Sequence, residues 1–321
     1  MNKTPKLFIL AGAVLASLFL FVSIVYNNFV QKSIYEENSR HLLSTYEQVD
    51  KTFTMFVQHN WNALSDWSNN LQYLDDAENM KTLWYEFARR KDAWQYQDFY
   101  MFNENCDFIT AAGRDGNAPN IQGIFLDMYE TGQPVISSYI ASDSNRRIVF
   151  ALPMDVPYTI NGITYSGLAV SYNNDVVEKL IAGNIYQGQS DCYILTSDGN
   201  VLLSLEPKTE FLQKISNLFD FLNKYTNMTE TEITDLKKNI KNVSTGSLQC
   251  RYNNKNYYLV YEPTGINDWT IVGIIHDDVV DASMRRIRFI TIVLILILNG
   301  CIALLLIGTV FVLMDSRLRM K

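Results

Sequence analysis

The residue types that carry catalysis are present in this chain, but not at the spacing catalysis needs. His41, His59 and His276 are far apart. No His-Glu-x-x-His or Cys-x-x-Cys run occurs, and there is neither a phosphate-cradling glycine loop nor a Gly-x-Ser-x-Gly elbow. The sequence therefore leads us to expect no catalytic residue, metal ligand or cofactor within its 321 residues. The carboxylate pairs Asp75-Asp76 and Asp277-Asp278 fall at predicted helix boundaries, where acids cap or are solvated. What remains suits binding. Trp94, Tyr100, Arg114, Tyr139, Tyr172 and Asp175 lie on predicted strand faces or in the loops beside them. A guanidinium with a carboxylate can orient a small zwitterion or anion, and aromatic walls exclude water.

The elements that must position these residues are bracketed by two apolar runs. Phe289–Met314 carries no charge, and as a helix it is about 39 Å long at 1.5 Å per residue, more than the roughly 30 Å of bilayer hydrocarbon. Leu7–Tyr26 is its counterpart: too long for the core of a signal peptide, and without a small-x-small cleavage site at its end. Both read as transmembrane helices. Lys3 and Lys6 before the first, and Arg317, Arg319 and Lys321 after the second, favour a cytoplasmic location for both ends. Arg285, Arg286 and Arg288 pull the other way. Residues 32–288 are then extracytoplasmic in a two-pass plasma-membrane protein, and the stub 315–321 implies an output region beyond Lys321.

The chain has a formal charge of −7. Both flanks are basic, so the segment between the runs is more acidic still, a poor partner for nucleic acid. Its aromatic content excludes disorder. Cys106, Cys192 and Cys250 read as small buried hydrophobes, although Cys192 and Cys250 fall in one predicted module and are the pair available for a bridge in an oxidising compartment.

From Lys32 to about Leu74 apolar residues recur at helical spacing without Gly or Pro, predicting a long stalk helix, followed by a shorter helix over Asn79–Arg90. Period-two patterning then begins. Strands are predicted at 98–102, 106–110, Pro134–Ile140, Arg147–Pro153 and Ile163–Tyr172, with helices at Ile124–Thr131 and Asp175–Ile181. The order recurs: strands at Cys192–Thr196 and Val201–Ser204, a helical insertion over Glu210–Asn242 with a Thr229-x-x-Glu232 capping box, and strands at Leu248–Tyr252, Tyr257–Glu262 and Trp269–Ile275. A helix over Val279–Arg288 runs into the second span. The fold class is α+β, two PAS-like antiparallel-sheet modules on a long helix.

In this order, the stretches Phe99–Ile109, Phe150-Ala-Leu-Pro153 with Gly167-Leu-Ala-Val170, Tyr193–Gly199, and Tyr257–Pro263 followed by Trp269–Gly273 resemble the double Cache (dCache) ectodomains of bacterial receptors. The resemblance covers about residues 27–315 and implies a plan: a stalk over 27–76, a membrane-distal module over 77–182, a membrane-proximal module over 183–288, and spans at 7–26 and 289–314. It implies a small-molecule ligand in the distal module, a homodimer, and a histidine kinase output, with a diguanylate cyclase or chemotaxis helix as alternatives. The amino-acid-sensing branch of that family has an Arg-x-Trp-Tyr element after the first hairpin; here the region reads Gly113-Arg-Asp-Gly-Asn-Ala-Pro-Asn-Ile121. It also has a Tyr-x-Asp before the third strand, here Tyr139-Ile-Ala141, and an Asp on the final strand, here near Ser171; of the three positions only Tyr139 fits, so a free amino acid held by both its carboxylate and its amine is not supported. An envelope structural protein or an accessory subunit is the rival reading from another class.

Overall fold

The computed structural model describes residues 4–71, 85, 89, 91, 95–118, 122–141, 145–182, 185–204, 215–280, 289–301, 303–304 and 307–308. Side chains of 4–16, 18–20, 180–182 and 187–188 lie outside that description. The chain divides into two compact units, Met1–Leu42 with Asp277–Lys321, and Leu43–His276.

Helix α1 is continuous over Thr4–Leu71. The predicted helix at Asn79–Arg90 falls outside the described residues apart from 85 and 89, both helical. In the first unit the side chains of Phe21, Ile24, Phe29, Phe289, Leu296 and Leu304 are all exposed, while Asn299 Nδ2 donates to Ser23 Oγ at 3.4 Å. Among the described residues no helix is both long and apolar enough to cross a membrane.

In the second unit two antiparallel sheets follow one another. The first contains β1 (Asp98–Phe102), β2 (Asp107–Thr110), β3 (Asp115–Asn117), β4 (Val135–Ile140), β5 (Arg146–Ile160) and β6 (Ile163–Asn173), in the order β3-β2-β1-β6-β5-β4. Helix α2 (Gln122–Thr131) precedes β4, and α3 (Asn174–Ala182) leaves β6. The second contains β7 (Ser190–Leu195), β8 (Val201–Ser204), β9 (Gly246–Tyr252), β10 (Lys255–Pro263) and β11 (Thr270–His276), in the order β8-β7-β11-β10-β9. Helices α4 (Leu218–Tyr225) and α5 (Glu230–Lys241) lie between β8 and β9, and α6 (Asp277–Val280) follows β11. The first sheet has one strand more than the sequence predicts: Asp115-Gly-Asn117 has no strand-forming residue, and pairing with β2 alone makes it one.

The repeat read from the sequence is visible bond by bond. Asn103 N–H donates to Asp107 O and Cys106 N–H to Asn103 O; in the second sheet Thr196 N–H donates to Asn200 O and Gly199 N–H to Thr196 O. Cys106 (φ 62°) and Gly199 (φ 83°) occupy the same left-handed position of this turn. The matched turns align Asp98, Tyr100 and Phe108 with Asp191, Tyr193 and Val201; a register shift in β8 then places Ser204 opposite Tyr193, as Thr110 lies opposite Tyr100. The expected single insertion is two helices. Thr229 N–H donates to Glu232 Oε2 at 2.7 Å and Glu232 N–H to Thr229 Oγ1 at 3.3 Å, which starts α5 and holds the Glu232 carboxyl below its usual range.

Strand alternation gives each sheet two faces. One face packs on α1. Phe56 meets Phe150 and Tyr172 edge-on at 5.5 and 5.2 Å, Phe53 stacks on Trp269 at 6.3 Å, and the Tyr46 ring lies against Gly273, where any Cβ would collide with it. Each fully buried Phe, Val or Leu on this seam contributes about 1.5–3 kcal/mol. The opposite faces carry two separate cores, one around Phe102, Phe125 and Met128, the other around Tyr193, Phe219, Leu222 and Leu236.

The two sheets are also stitched at their edges. Arg146 Nη1 donates to Val201 O and, at 3.0 Å, to Leu202 O; Asn174 Nδ2 donates to Ser204 O at 2.6 Å. In the other direction Asn267 Nδ2 donates to Ile136 O at 3.1 Å. Both receiving strands, β8 and β4, are sheet edges, whose unpaired carbonyls need partners. The cysteines do not bridge: Cys106, Cys192 and Cys250 are buried free thiols, and burial pushes Cys192 and Cys250 up to about 12.

Candidate functional site

The face of the first sheet turned away from α1 ends in a cavity of about 640 Å³. Pairing across the ladders fixes which residues reach it. Tyr100 lies opposite Thr110 and Ala169, Asp98 opposite Ser171, and Tyr139 opposite Arg147; directly opposed residues share a face. Asp98, Tyr100, Phe108, Thr110, Tyr139 and Arg147 therefore converge, with Gln97, Asn117 and Phe125 completing the walls.

The charge sits in one cluster. Asp98 Oδ1 accepts from Arg114 Nη2 at 2.6 Å, and Asp98 Oδ2 accepts from Arg147 Nη1 at 3.2 Å. The Arg147 and Asp98 side chains retain 12% and 15% of their exposure, whereas Arg114 retains 66% and lies at the mouth. Its backbone is pinned there. Arg114 N–H donates to Thr110 Oγ1 at 3.0 Å and Thr110 N–H donates to Arg114 O at 2.7 Å, across a turn that needs Gly113 at φ 74°. Deeper in, the Tyr100 and Tyr139 hydroxyls are 3.5 Å apart, and burial raises the Tyr100 phenol well above its ordinary value. On the hairpin side Asn117 Nδ2 bonds Asp107 Oδ1 at 2.9 Å and Asn105 O at 2.8 Å, fixing β3.

Of the six binding residues expected from sequence, Tyr100, Arg114 and Tyr139 meet in this cavity. Trp94 lies outside the described residues. Tyr172 is one step out of phase on β6, so it faces α1, where its hydroxyl donates to Asn60 Oδ1 at 2.7 Å and burial raises its pKa. Asp175 opens α3 with its side chain exposed, 4.0 Å from Lys179 Nζ one turn on. Sequence reasoning missed Asp98, Thr110 and Arg147. The signal for Asp98 was its spacing two before Tyr100; Arg147 had none that separated it from Arg146.

No protein-family model and no curated protein matches the sequence. Solved structures do resemble the chain. The sensory domain of the Campylobacter jejuni chemoreceptor Tlp3 with isoleucine bound matches at TM-score 0.52 and 11% identity, over 79% of this chain and 98% of that one. The ligand-binding domain of the Pseudomonas aeruginosa PAO1 chemoreceptor PctB in complex with L-Arg matches at 0.55 and 13%, over 78% and 92%. The extracellular domain of the putative histidine kinase mmHK1S-Z3 matches at 0.52 and 13%, over 75% and 97%. The likeness is one of fold: a long N-terminal helix with two antiparallel sheets. The cavity belongs to the first sheet, here the first module, and the second sheet, the second module, has its own packed core on the corresponding face.

Proposed function

We propose that this chain is the sensing part of a transmembrane receptor, in which a small molecule entering the first-module cavity changes the state of an output region beyond Lys321. The observation that carries this is a cleft of about 640 Å³ with a charged cluster at its mouth and aromatic walls, within a fold shared with ligand-binding sensor domains. The apolar runs 7–26 and 289–314 serve as the membrane spans. Exposed Phe21, Ile24, Leu296 and Leu304 suit lipid contact, and the Ser23–Asn299 contact suits two neighbouring spans. Residues 32–288 then lie outside the cytoplasm, with a stalk to residue 76, a distal module to 182 and a proximal module to 288.

The route inward begins at β5. Arg147 reaches the cavity cluster, and its neighbour Arg146 holds the carbonyls of Val201 and Leu202 in the second sheet. A ligand that moves Arg147 moves Arg146 with it. The ligand can shift the receptor only by its difference in affinity for the two states, and a dimer whose stalks, residues 32 to about 52, reposition provides those states. A histidine kinase is the output we favour, as in the putative histidine kinase mmHK1S-Z3; the chemoreceptors among the similar structures favour a chemotaxis helix as the second reading. The test is thermal denaturation of the full chain in nanodiscs against a broad panel of small metabolites. At least one should raise Tm, and that rise should vanish in Arg147→Gln. A panel without a single hit would contradict the reading.

A further inference from the structure

We infer that Asp50 of α1 and Glu262 of β10 form an acid-sensitive carboxyl pair, which takes up one shared proton on acidification and then holds α1 more firmly to the second sheet. Neither residue lines the cavity, so this input goes beyond the sensor reading above.

The pair follows from register. The Tyr46 ring lies against Gly273 and Phe53 stacks on Trp269, so α1 and β11 run in opposite directions along the seam. Asp50, one turn after Tyr46, comes level with Ile271. Ile271 is paired across the ladder with Glu262, and directly opposed residues share a face. Glu262 is therefore on the α1 side of its sheet. Each carboxyl has one buried oxygen without a hydrogen-bond partner, Oδ1 of Asp50 and Oε2 of Glu262, and an unpaired buried acceptor is destabilising. A proton taken from solvent lowers the charge of the pair from −2 to −1, and the new O–H donates to the other carboxyl.

The surrounding groups leave that conflict in place. On α1, Glu47 adds a third acid and is paired with Lys51 at 2.7 Å, while the Lys51 ammonium favours the ionised form of Asp50. On the sheet, burial raises the Glu262 carboxyl, Thr245 opposes by bonding it, and the charges of Asp50 and Glu47 raise it further. β11 and β7 bring Ile271, Gly273, Ile194 and Cys192 to this face, and β10 and β9 bring Tyr258, Val260, Ser247 and Gln249; phenols and thiols carry no charge in acid. Among the described strand residues of this face the other charged group is Arg251, opposite Asn256 and about 20 Å along β10 from Glu262. Burial holds Asp50 at about 6. A carboxyl raised in this way binds its proton more tightly when folded, so its contribution is whole below about pH 4 and lost as pH rises through about 6. Acid tightens the seam and neutral pH loosens it.

The test is calorimetric melting of the full chain in nanodiscs for the unaltered protein, Asp50→Asn, Glu262→Gln and the double variant. An amide supplies the N–H that stands in for the shared proton. At pH 7.5 each single variant should raise Tm by about 1–2 °C, and the double variant by no more than the larger single gain, because one donor suffices for the pair. At pH 4.5 the gains should shrink by more than half. Additive gains, no gain from either variant, or gains that persist at pH 4.5 overturn the inference. Where a variant fails to fold, hydrogen exchange of the unaltered chain decides: corrected for the intrinsic rate, protection at residues 46–53 and 257–263 should be greater at pH 5.0 than at pH 7.5, and equal or weaker protection in acid overturns it. A metabolite panel without a hit would sink the cavity reading and leave this one standing.

Discussion

The two modules of this chain repeat one plan and differ in what fills it. Asp98 and Tyr100 in the first correspond to Asp191 and Tyr193 in the second. Across the neighbouring strand the first pair faces Ser171 and Ala169, whereas the second faces Ile274 and Val272. One strand further, Val149 and Ala151 correspond to Leu259 and Tyr261. Beyond a register shift in β8, Ser204 stands opposite Tyr193 where the first module has Thr110 opposite Tyr100. The second face is then sealed by Phe219, Leu222, Leu236 and Ile240 from α4 and α5. The difference teaches that the fold supplies a concave sheet in both modules, and that side-chain volume decides whether it becomes a cavity or a core.

The largest way to break this contrast is to empty the filled module. Ile274→Ala removes a fully buried side chain and should cost about 2–5 kcal/mol in denaturant titration, without creating a ligand site. Filling the open module should do the opposite. Thr110→Leu puts a larger apolar side chain at a buried cavity position; it should weaken any first-module ligand by roughly tenfold or more, with a smaller change in Tm than Ile274→Ala. The matched turns provide a finer comparison. A Cβ at Gly199 would lie 2.5 Å from the Phe219 ring at a φ of 83°, so Gly199→Ala should cost about 1–3 kcal/mol. Cys106 already occupies the equivalent left-handed position, and Cys106→Gly should cost less.

The smallest effect is on α1. Burial pushes the Asp50 carboxyl up to about 6, with Lys51 opposing and Glu47 adding. A carboxyl whose folded pKa is raised holds its proton more tightly when folded, so stability falls as pH rises from about 4 to about 6. Asp50→Asn should therefore raise Tm by about 1–2 °C at pH 7.5, a modest gain because the group is partly solvated, and by nothing below about pH 4.

The strands were legible because Phe, Tyr, Val and Ile alternate with polar residues, and the repeat because both hairpins carry turn residues at one spacing. The break between α4 and α5 was not, although the capping box at Thr229 marks the start of α5. At the site, Tyr100 and Tyr139 were legible as aromatics on strands. The faces of the others depend on register: one residue of phase on β6 sends Tyr172 to α1 and leaves Ser171 on the cavity side. Asp98 finds its partners 16 and 49 residues away, pairings that only the assembled sheet creates. The two apolar runs, 7–26 and 289–314, are legible in composition alone.

The central claim is that the first module, and not the second, is the one that takes a ligand. Hydrogen exchange of the full chain in nanodiscs, with and without a molecule that raises Tm, tests it most directly. The account predicts slowed exchange at residues 95–118 and 139–147, with a weaker echo at 201–204 through Arg146. Protection concentrated at 190–195 and 246–276, with residues 95–118 unchanged, would contradict it.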